Sequence, residues 1–172
     1  MTGSDTTTKL EVRHLSLVLL SVFLAAGSAW GRPGLNRGEE DSGARDPWRL
    51  TQLIEPEVLL KALSRPPDRK PAIFYVGPVV LYRSVHIPDA KLIGPTMQAA
   101  ALGQLMKELE RIPRDREVVL YCGCCPWEDC PNIRPAFSAA QKMGFTKLRV
   151  LHLPQNFKQD WIDRGFPIQR VE

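Results

Sequence analysis

Three short apolar runs alternate with segments of helical period, and that alternation restricts the fold more than any other feature of the chain. The runs at 72–76, 117–121 and 148–153 are too short for helices and read as buried strands. Residues 56–63 read as a short helix, with Pro56 in its first turn and Val58, Leu59 and Leu63 on one side. From 98 to 112 the apolar residues Ala101, Leu102, Leu105, Met106, Leu109 and Ile112 recur at helical spacing. Asn132 stands where it can cap a helix whose apolar face is Ile133, Ala136, Phe137 and Ala140 and which ends at Gly144. A last helix over 157–164 ends at Gly165. Strands joined through helices run parallel, so the pattern predicts an α/β fold with a mostly parallel central sheet and helices on both faces. Phe137, Trp161, Met97, Met106 and Met143 are assigned to the core.

Composition fits one domain. The chain has 172 residues, 44% of them hydrophobic and 24% charged, which is globular rather than disordered. Its net charge of +4 comes from scattered Lys and Arg, with no basic run interleaved with aromatics, so nucleic acid is not an expected partner. Residues 1–31 read as a secretory signal peptide: Lys9 and Arg13 flank an apolar run from Leu15 to Ala26, followed by Gly27, Ser28, Ala29 and Gly31. The alternative is an uncleaved membrane anchor, the one route by which a membrane would be a partner. Residues 32–47, rich in Gly, Pro and charge, read as a flexible linker, leaving 48–172 as the domain. The expected location is periplasmic or secreted.

All 4 cysteines, Cys122, Cys124, Cys125 and Cys130, fall between positions 122 and 130. A disulfide framework in an exported domain spreads its cysteines to close long loops, and a cluster this tight cannot staple a fold. It marks a site. Ligands bind at the carboxyl ends of strands in open parallel sheets, and this loop follows the 117–121 strand directly. It also leads into a helix N-terminus, whose partial positive charge favours a thiolate. The apolar strand places Cys122 at the rim, where it can be reached, and its position there with three neighbouring thiols favours a reactive thiol. Cys124, Cys125 and Cys130 admit three readings. They can be resolving thiols, since Cys122-Gly123-Cys124-Cys125 contains the spacing of a Cys-x-x-Cys redox pair. They can rigidify the loop through a disulfide such as Cys125 to Cys130. Together with Cys122 they can instead bind zinc or an iron–sulfur cluster.

Several segments resemble the rhodanese family of sulfurtransferases. His86-Ile87-Pro88-Asp89-Ala90, with Tyr82 before it, is similar to that family's His-Ile-Pro-Gly-Ala segment. Residues 117–122 resemble the strand that delivers the catalytic cysteine, and Gly144-Phe145 and Val150-Leu151 the turn and strand after the active-site helix. Trp161, Gly165, Phe166 and Pro167 are similar to the closing Trp and Gly-aromatic-Pro segment. The resemblance implies a rhodanese-like fold, with Cys122 carrying sulfur as a persulfide between a donor and an acceptor. It also implies a structural, neutral His86. The departures are local. The loop after Cys122 is longer than the family's, and Asn132 stands where the family places an Arg, with Arg134 beyond it. Tyr75-Val76-Gly77 replaces Asp-Val-Arg, and Glu128 and Asp129 bring negative charge that disfavours thiosulfate.

The expected function is therefore an exported sulfurtransferase. Cys122 is catalytic, Cys124, Cys125 and Cys130 are candidate resolving thiols, and Gly123, Trp127, Asn132 and Arg134 form the loop and substrate contacts. Trp127 is read as a wall or lid. No cofactor is expected on this reading. The partners are a small-molecule or protein sulfur donor and acceptor and a periplasmic thiol reductant. The alternatives are a non-enzymatic metal- or partner-binding module built on the four thiols, or a thiol–disulfide oxidoreductase.

Overall fold

The computed structural model describes residues 46–171; the signal peptide read at 1–31 and nearly all of the linker at 32–47 lie outside them. Five strands, β1 (Leu53–Ile54), β2 (Ala72–Tyr75), β3 (Lys91–Leu92), β4 (Val118–Tyr121) and β5 (Leu148–Leu151), form one sheet. Their order is β1-β5-β4-β2-β3, and every pairing is parallel. The helices are α1 (Pro56–Leu63), α2 (Val79–Ser84), α3 (Ala99–Glu110) and α4 (Ile133–Lys142). No helix among the described residues is long and apolar enough to cross a membrane.

The apolar runs are continuous because both faces of the sheet are covered. Along β4, Val118 and Leu120 point into one core with Ala101, Leu105 and Leu109 of α3 and Ile133, Ala136, Phe137 and Ala140 of α4. Val119 and Tyr121 point into the other, with Leu59 and Ala62 of α1 and Phe157 and Trp161. Phe137 and Trp161 are fully buried, which for side chains of this kind contributes about 1.5–3 kcal/mol each. Cys122 continues the alternation beyond Leu120 and joins the α3–α4 face.

Several expectations need correction. The segment read as a helix over 157–164 is a single π-helical turn, Lys158–Ile162, preceded by Phe157. Met97 is 64% exposed and Met106 is 40% exposed, so neither is core, while Met143 is partly buried against it. Met106 follows Leu105 by one position, and the 100° step of a helix turns it away from the stripe that Ala101, Leu105 and Leu109 bury. β1, β3 and α2 were not foreseen; strands of two residues carry no readable period.

The segment after α2 is built as a structural corner. His86 is buried, its Nδ1 lies 2.9 Å from the Tyr82 carbonyl oxygen, and its ring stacks on Tyr82 at 3.8 Å. Its backbone pairs with Gln169, tying the C-terminal segment down. Asp89 takes a φ of 63°, a left-handed conformation that Asp tolerates better than most residues. That is the position where the resembling segment carries Gly.

Candidate active site

β4 lies between β5 and β2, so the chain leaving it emerges near the middle of the sheet's carboxyl edge. Cys122 is the first residue past that edge. Gly123 then turns the chain at φ 80°, and a Cβ there would lie 2.5 Å from the Cβ of Phe157. Only glycine serves both demands. The turn folds Cys124 back beside Cys122, with their sulfurs 3.2 Å apart. Cys124 also lies 3.4 Å from Cys125. The nearest partner of Cys122 in this stretch is thus Cys124 and not the Cys125 of the Cys-x-x-Cys reading. All four thiols are free, so the Cys125–Cys130 disulfide is not formed.

Cys122 is buried, 1% exposed, and sits at the floor of a cavity of about 410 Å³ rather than at an open rim. The walls are Tyr75 at the end of β2, Leu81, Ser84 and Val85 from α2 and its end, and Asn156, Phe157, Lys158 and Ile162 from the C-terminal turn. Gly123 and Cys124 complete the lining. Lys158 is paired with Asp163 at 2.7 Å. Sequence reading missed Tyr75, Phe157 and the α2 residues as site components. The one available signal was Tyr75-Val76-Gly77 at the end of a strand. A Cβ on Gly77 would lie 2.6 Å from the Cys122 sulfur and 2.8 Å from the Tyr75 hydroxyl, so the glycine lets both approach.

The other predicted residues divide. Asn132 is buried at the start of α4, but its side chain does not cap the helix. Its Nδ2 donates to the Cys122 sulfur at 3.7 Å and its Oδ1 accepts from the Met97 backbone N–H at 3.2 Å. Arg134 points away from the cavity and braces the loop from behind. Its guanidinium donates to the carbonyls of Cys130 (2.9 Å) and Glu128 and pairs with Asp46 at 2.6 Å. Trp127 is buried against Trp48 and His152, a wall of the core and not a lid. Glu128 and Asp129 are exposed and do not line the cavity.

The sulfurs of Cys122, Cys124 and Cys130 all lie within 4.8 Å of one another. They are the ones that could hold a soft metal ion; Cys125 stands outside this group, so three of the four thiols of the metal reading are gathered. Their protonation is uneven. A hydrogen bond with Cys124 favours the Cys122 thiolate, but the bond with Cys130, burial and the Cys130 charge outweigh it and push Cys122 up to about 12. Hydrogen bonds with Cys122 and Cys130, then burial, also hold Cys124 far above the ordinary thiol range. Burial and Cys124 push Cys125 up to about 12. Cys130 moves the other way, to about 3, because the Cys122 and Cys124 thiols hydrogen-bond its sulfur; the backbone N–H groups of Asn132 and Ile133 add to this against the cost of burial. The helix N-terminus therefore favours a thiolate on Cys130 and not on Cys122 as expected, because the loop after β4 brings Cys130 back to the start of α4. Burial, then the charges of Cys122 and its neighbours, keeps Tyr75 protonated through the whole neutral range.

The chain matches no family model and no curated protein. It is similar to the solution structure of protein hp1203 from Helicobacter pylori 26695, at 18% identity and a TM-score of 0.46, over 70% of this chain and 90% of that one. It is also similar to the rhodanese-like domain of the Anabaena sp. Alr3790 protein. Its solution structure shows 17% identity, a TM-score of 0.49 and coverage of 70% and 80%. Its crystal structure shows 16%, 0.49 and coverage of 69% and 92%.

Proposed function

We propose that this domain is a sulfurtransferase that takes a sulfane sulfur onto Cys122 and hands it to an acceptor thiol. One observation carries the reading: Cys122 lines a largely apolar cavity with a second thiol 3.2 Å from its sulfur. A persulfide donor R–S–SH entering the cavity presents its outer sulfur to Cys122. The Cys122–S bond forms as the donor S–S bond breaks, leaving Cys122–S–SH and R–SH. An acceptor thiol then takes the outer sulfur and Cys122 leaves as the thiol. Cys124 offers a second exit. Its attack on the Cys122 sulfur gives a Cys122–Cys124 disulfide and hydrogen sulfide, and a dithiol reductant restores both thiols.

The walls favour an organic persulfide over thiosulfate. Leu81, Val85, Phe157 and Ile162 are apolar, and the one cation lining the cavity, Lys158, is already paired with Asp163. A dianion would lose its hydration there without a free positive partner. The reading of residues 1–31 as a signal peptide makes the periplasm or the outside of the cell the proposed location. The test is exposure of the reduced protein to glutathione persulfide. Intact mass should rise by one sulfur atom, cyanide should remove it as thiocyanate, and Cys122→Ser should show neither. Equal uptake by the Cys122→Ser protein would overturn the reading.

A further inference from the structure

Cys122, Cys124 and Cys130 gather three sulfurs within 4.8 Å of one another, and no imidazole or carboxylate among the described residues joins them. The Cys125 sulfur lies 3.4 Å from that of Cys124 but stands outside the group. Asn132 turns an amide N–H toward the Cys122 sulfur at 3.7 Å and its oxygen toward the Met97 N–H at 3.2 Å, so it faces the cluster with a donor and not a ligand atom. Zinc takes four ligands in closed protein sites, and an iron–sulfur cluster is held by four thiolates. We propose that the trio is a binding site for trivalent arsenic, taken up as the neutral hydroxide As(OH)3 and held by Cys122, Cys124 and Cys130. The proposal stands apart from the sulfur-transfer reading, although both use Cys122.

Two features select a pyramidal, uncharged centre. At a metal–sulfur distance of about 2.3 Å, as for zinc, tetrahedral bonding spaces the sulfurs about 3.8 Å apart. The Cys122 and Cys124 sulfurs are 3.2 Å apart, which at that bond length closes the angle at the centre to about 90°. Trivalent arsenic bonds through three p orbitals near that angle, and its lone pair fills the place where other ions need a fourth ligand. The second feature is charge. Three thiolates leave one net negative charge around zinc and two around monovalent copper. The cavity beside the cluster is walled by Leu81, Val85, Phe157 and Ile162, and its cation, Lys158, is paired with Asp163. Arg134 is turned to the Cys130 and Glu128 carbonyls and to Asp46. An uncompensated charge is costly in such a place, whereas an arsenic trithiolate carries none.

Uptake exchanges oxygen for sulfur with no change of oxidation state. In each exchange an arsenic–oxygen bond breaks, an arsenic–sulfur bond forms, and the thiol proton leaves with the hydroxyl as water. Three exchanges release three waters. A thiol that rests as its thiolate draws the proton for that water from solvent. Cys124 is exposed and lines the cavity with Cys122, so these two meet the hydroxide first. Cys130, fully buried behind them, makes the third bond and displaces the last hydroxyl.

The probe is sodium arsenite, added to reduced protein of the natural sequence and to its Cys125→Ser variant, in which the three gathered thiols are the remaining ones. Arsenic-edge X-ray absorption of both complexes should show three sulfur neighbours and no oxygen. Native mass should rise by one arsenic less three hydrogens. Two sulfurs with a retained oxygen would overturn the proposal, as would displacement of the arsenic by zinc at the same concentration. Adding Cys130→Ser to the Cys125→Ser protein should weaken arsenite binding by about tenfold or more. Phenylarsine oxide, which needs only two thiols, should bind with and without that change, reporting that Cys122 and Cys124 keep their places. Equal arsenite affinity in the two proteins would remove Cys130 from the site and sink the proposal. The absorption measurement does not depend on the folding of the Cys130→Ser protein. Sulfur uptake, read separately on arsenic-free protein, keeps the two claims distinct. Uptake without three-sulfur coordination sinks the arsenic site alone, and three-sulfur coordination without uptake sinks the sulfur-transfer reading alone.

Discussion

Two clefts of similar size open at opposite ends of the sheet, and they differ in almost everything but volume. The one at the amino ends of β2, β4 and β5 measures about 450 Å³ and is lined by Arg65, Asp68, Arg69, Lys70, Asp115, Arg116, Glu117 and Lys147 among others. Its charges are largely spent on one another or on the backbone: Arg65 pairs with Glu117 at 2.9 Å, and Arg116 donates to the carbonyls of Pro67 and Asp68. The one at the carboxyl ends measures about 410 Å³, has apolar walls and ends on free thiols. Size therefore does not mark the site. Parallel strands deliver their loops and helix N-termini to the carboxyl edge, and chemistry collects there.

The largest contrast is chemical. Cys122→Ser should abolish uptake of sulfur from an organic persulfide, while Lys147→Ala in the amino-end cleft should leave it unchanged. Loss in the Lys147→Ala protein would break the distinction between the clefts. Gly77→Ala should come next. The added methyl would lie 2.6 Å from the Cys122 sulfur and 2.8 Å from the Tyr75 hydroxyl, so one must move. Uptake should fall by about tenfold or more, the equivalent of 1.4 kcal/mol in the barrier, with the fold retained by circular dichroism. Unchanged uptake would show that the Tyr75 wall yields freely.

The stability contrast is smaller in consequence for the site but large in energy. Trp161 is fully buried and its Nε1 donates to the Pro167 carbonyl at 2.8 Å. Trp161→Ala should lower unfolding free energy by about 3–5 kcal/mol. Arg65→Ala, which breaks an exposed pair at the amino-end cleft, should cost under about 1 kcal/mol. Denaturant melts of the two variants check the pair. The smallest effect is alkaline. Burial first, then neighbouring thiols, raises Tyr75 above its ordinary value of 10.0; Tyr121 is raised by burial, despite the Ile87 N–H it accepts. A group whose folded pKa is raised stabilises fully below its unfolded pKa and loses that contribution as pH rises toward the folded value. The melting temperature should therefore begin an additional fall above about pH 10, and Tyr75→Phe should blunt it. An identical alkaline profile in that variant would remove Tyr75 from the account.

The framework was legible because its elements are periodic and long enough to show it. The apolar runs became β2, β4 and β5, and the helical stretches became α1, α3 and α4, because run length marks a buried strand and the spacing of apolar residues marks a helix's buried face. Phe137 was placed for the same reason. The cavity was not legible. Its walls come from α2, from the end of β2 and from the turn at 157–162, segments far apart in the chain whose meeting depends on the packing of the sheet. The arrangement of thiols was hidden as well. Spacing suggested Cys122 with Cys125, but the positive φ of Gly123 turns Cys124 back instead, and the loop returns Cys130 to the helix start. Asn132 held the expected place and took a different task, giving up its cap to reach Cys122.

The central claim is that the thiol at the cavity floor is the one that receives sulfur. Wild-type protein treated briefly with glutathione persulfide, trapped by alkylation and fragmented across residues 117–142, locates the added atom directly. The account predicts a single extra sulfur on Cys122, with Cys124, Cys125 and Cys130 unmodified at early times. Sulfur found first on the exposed Cys124, or spread evenly over Cys124 and Cys125, would contradict it and make the cavity a bystander to surface thiol chemistry.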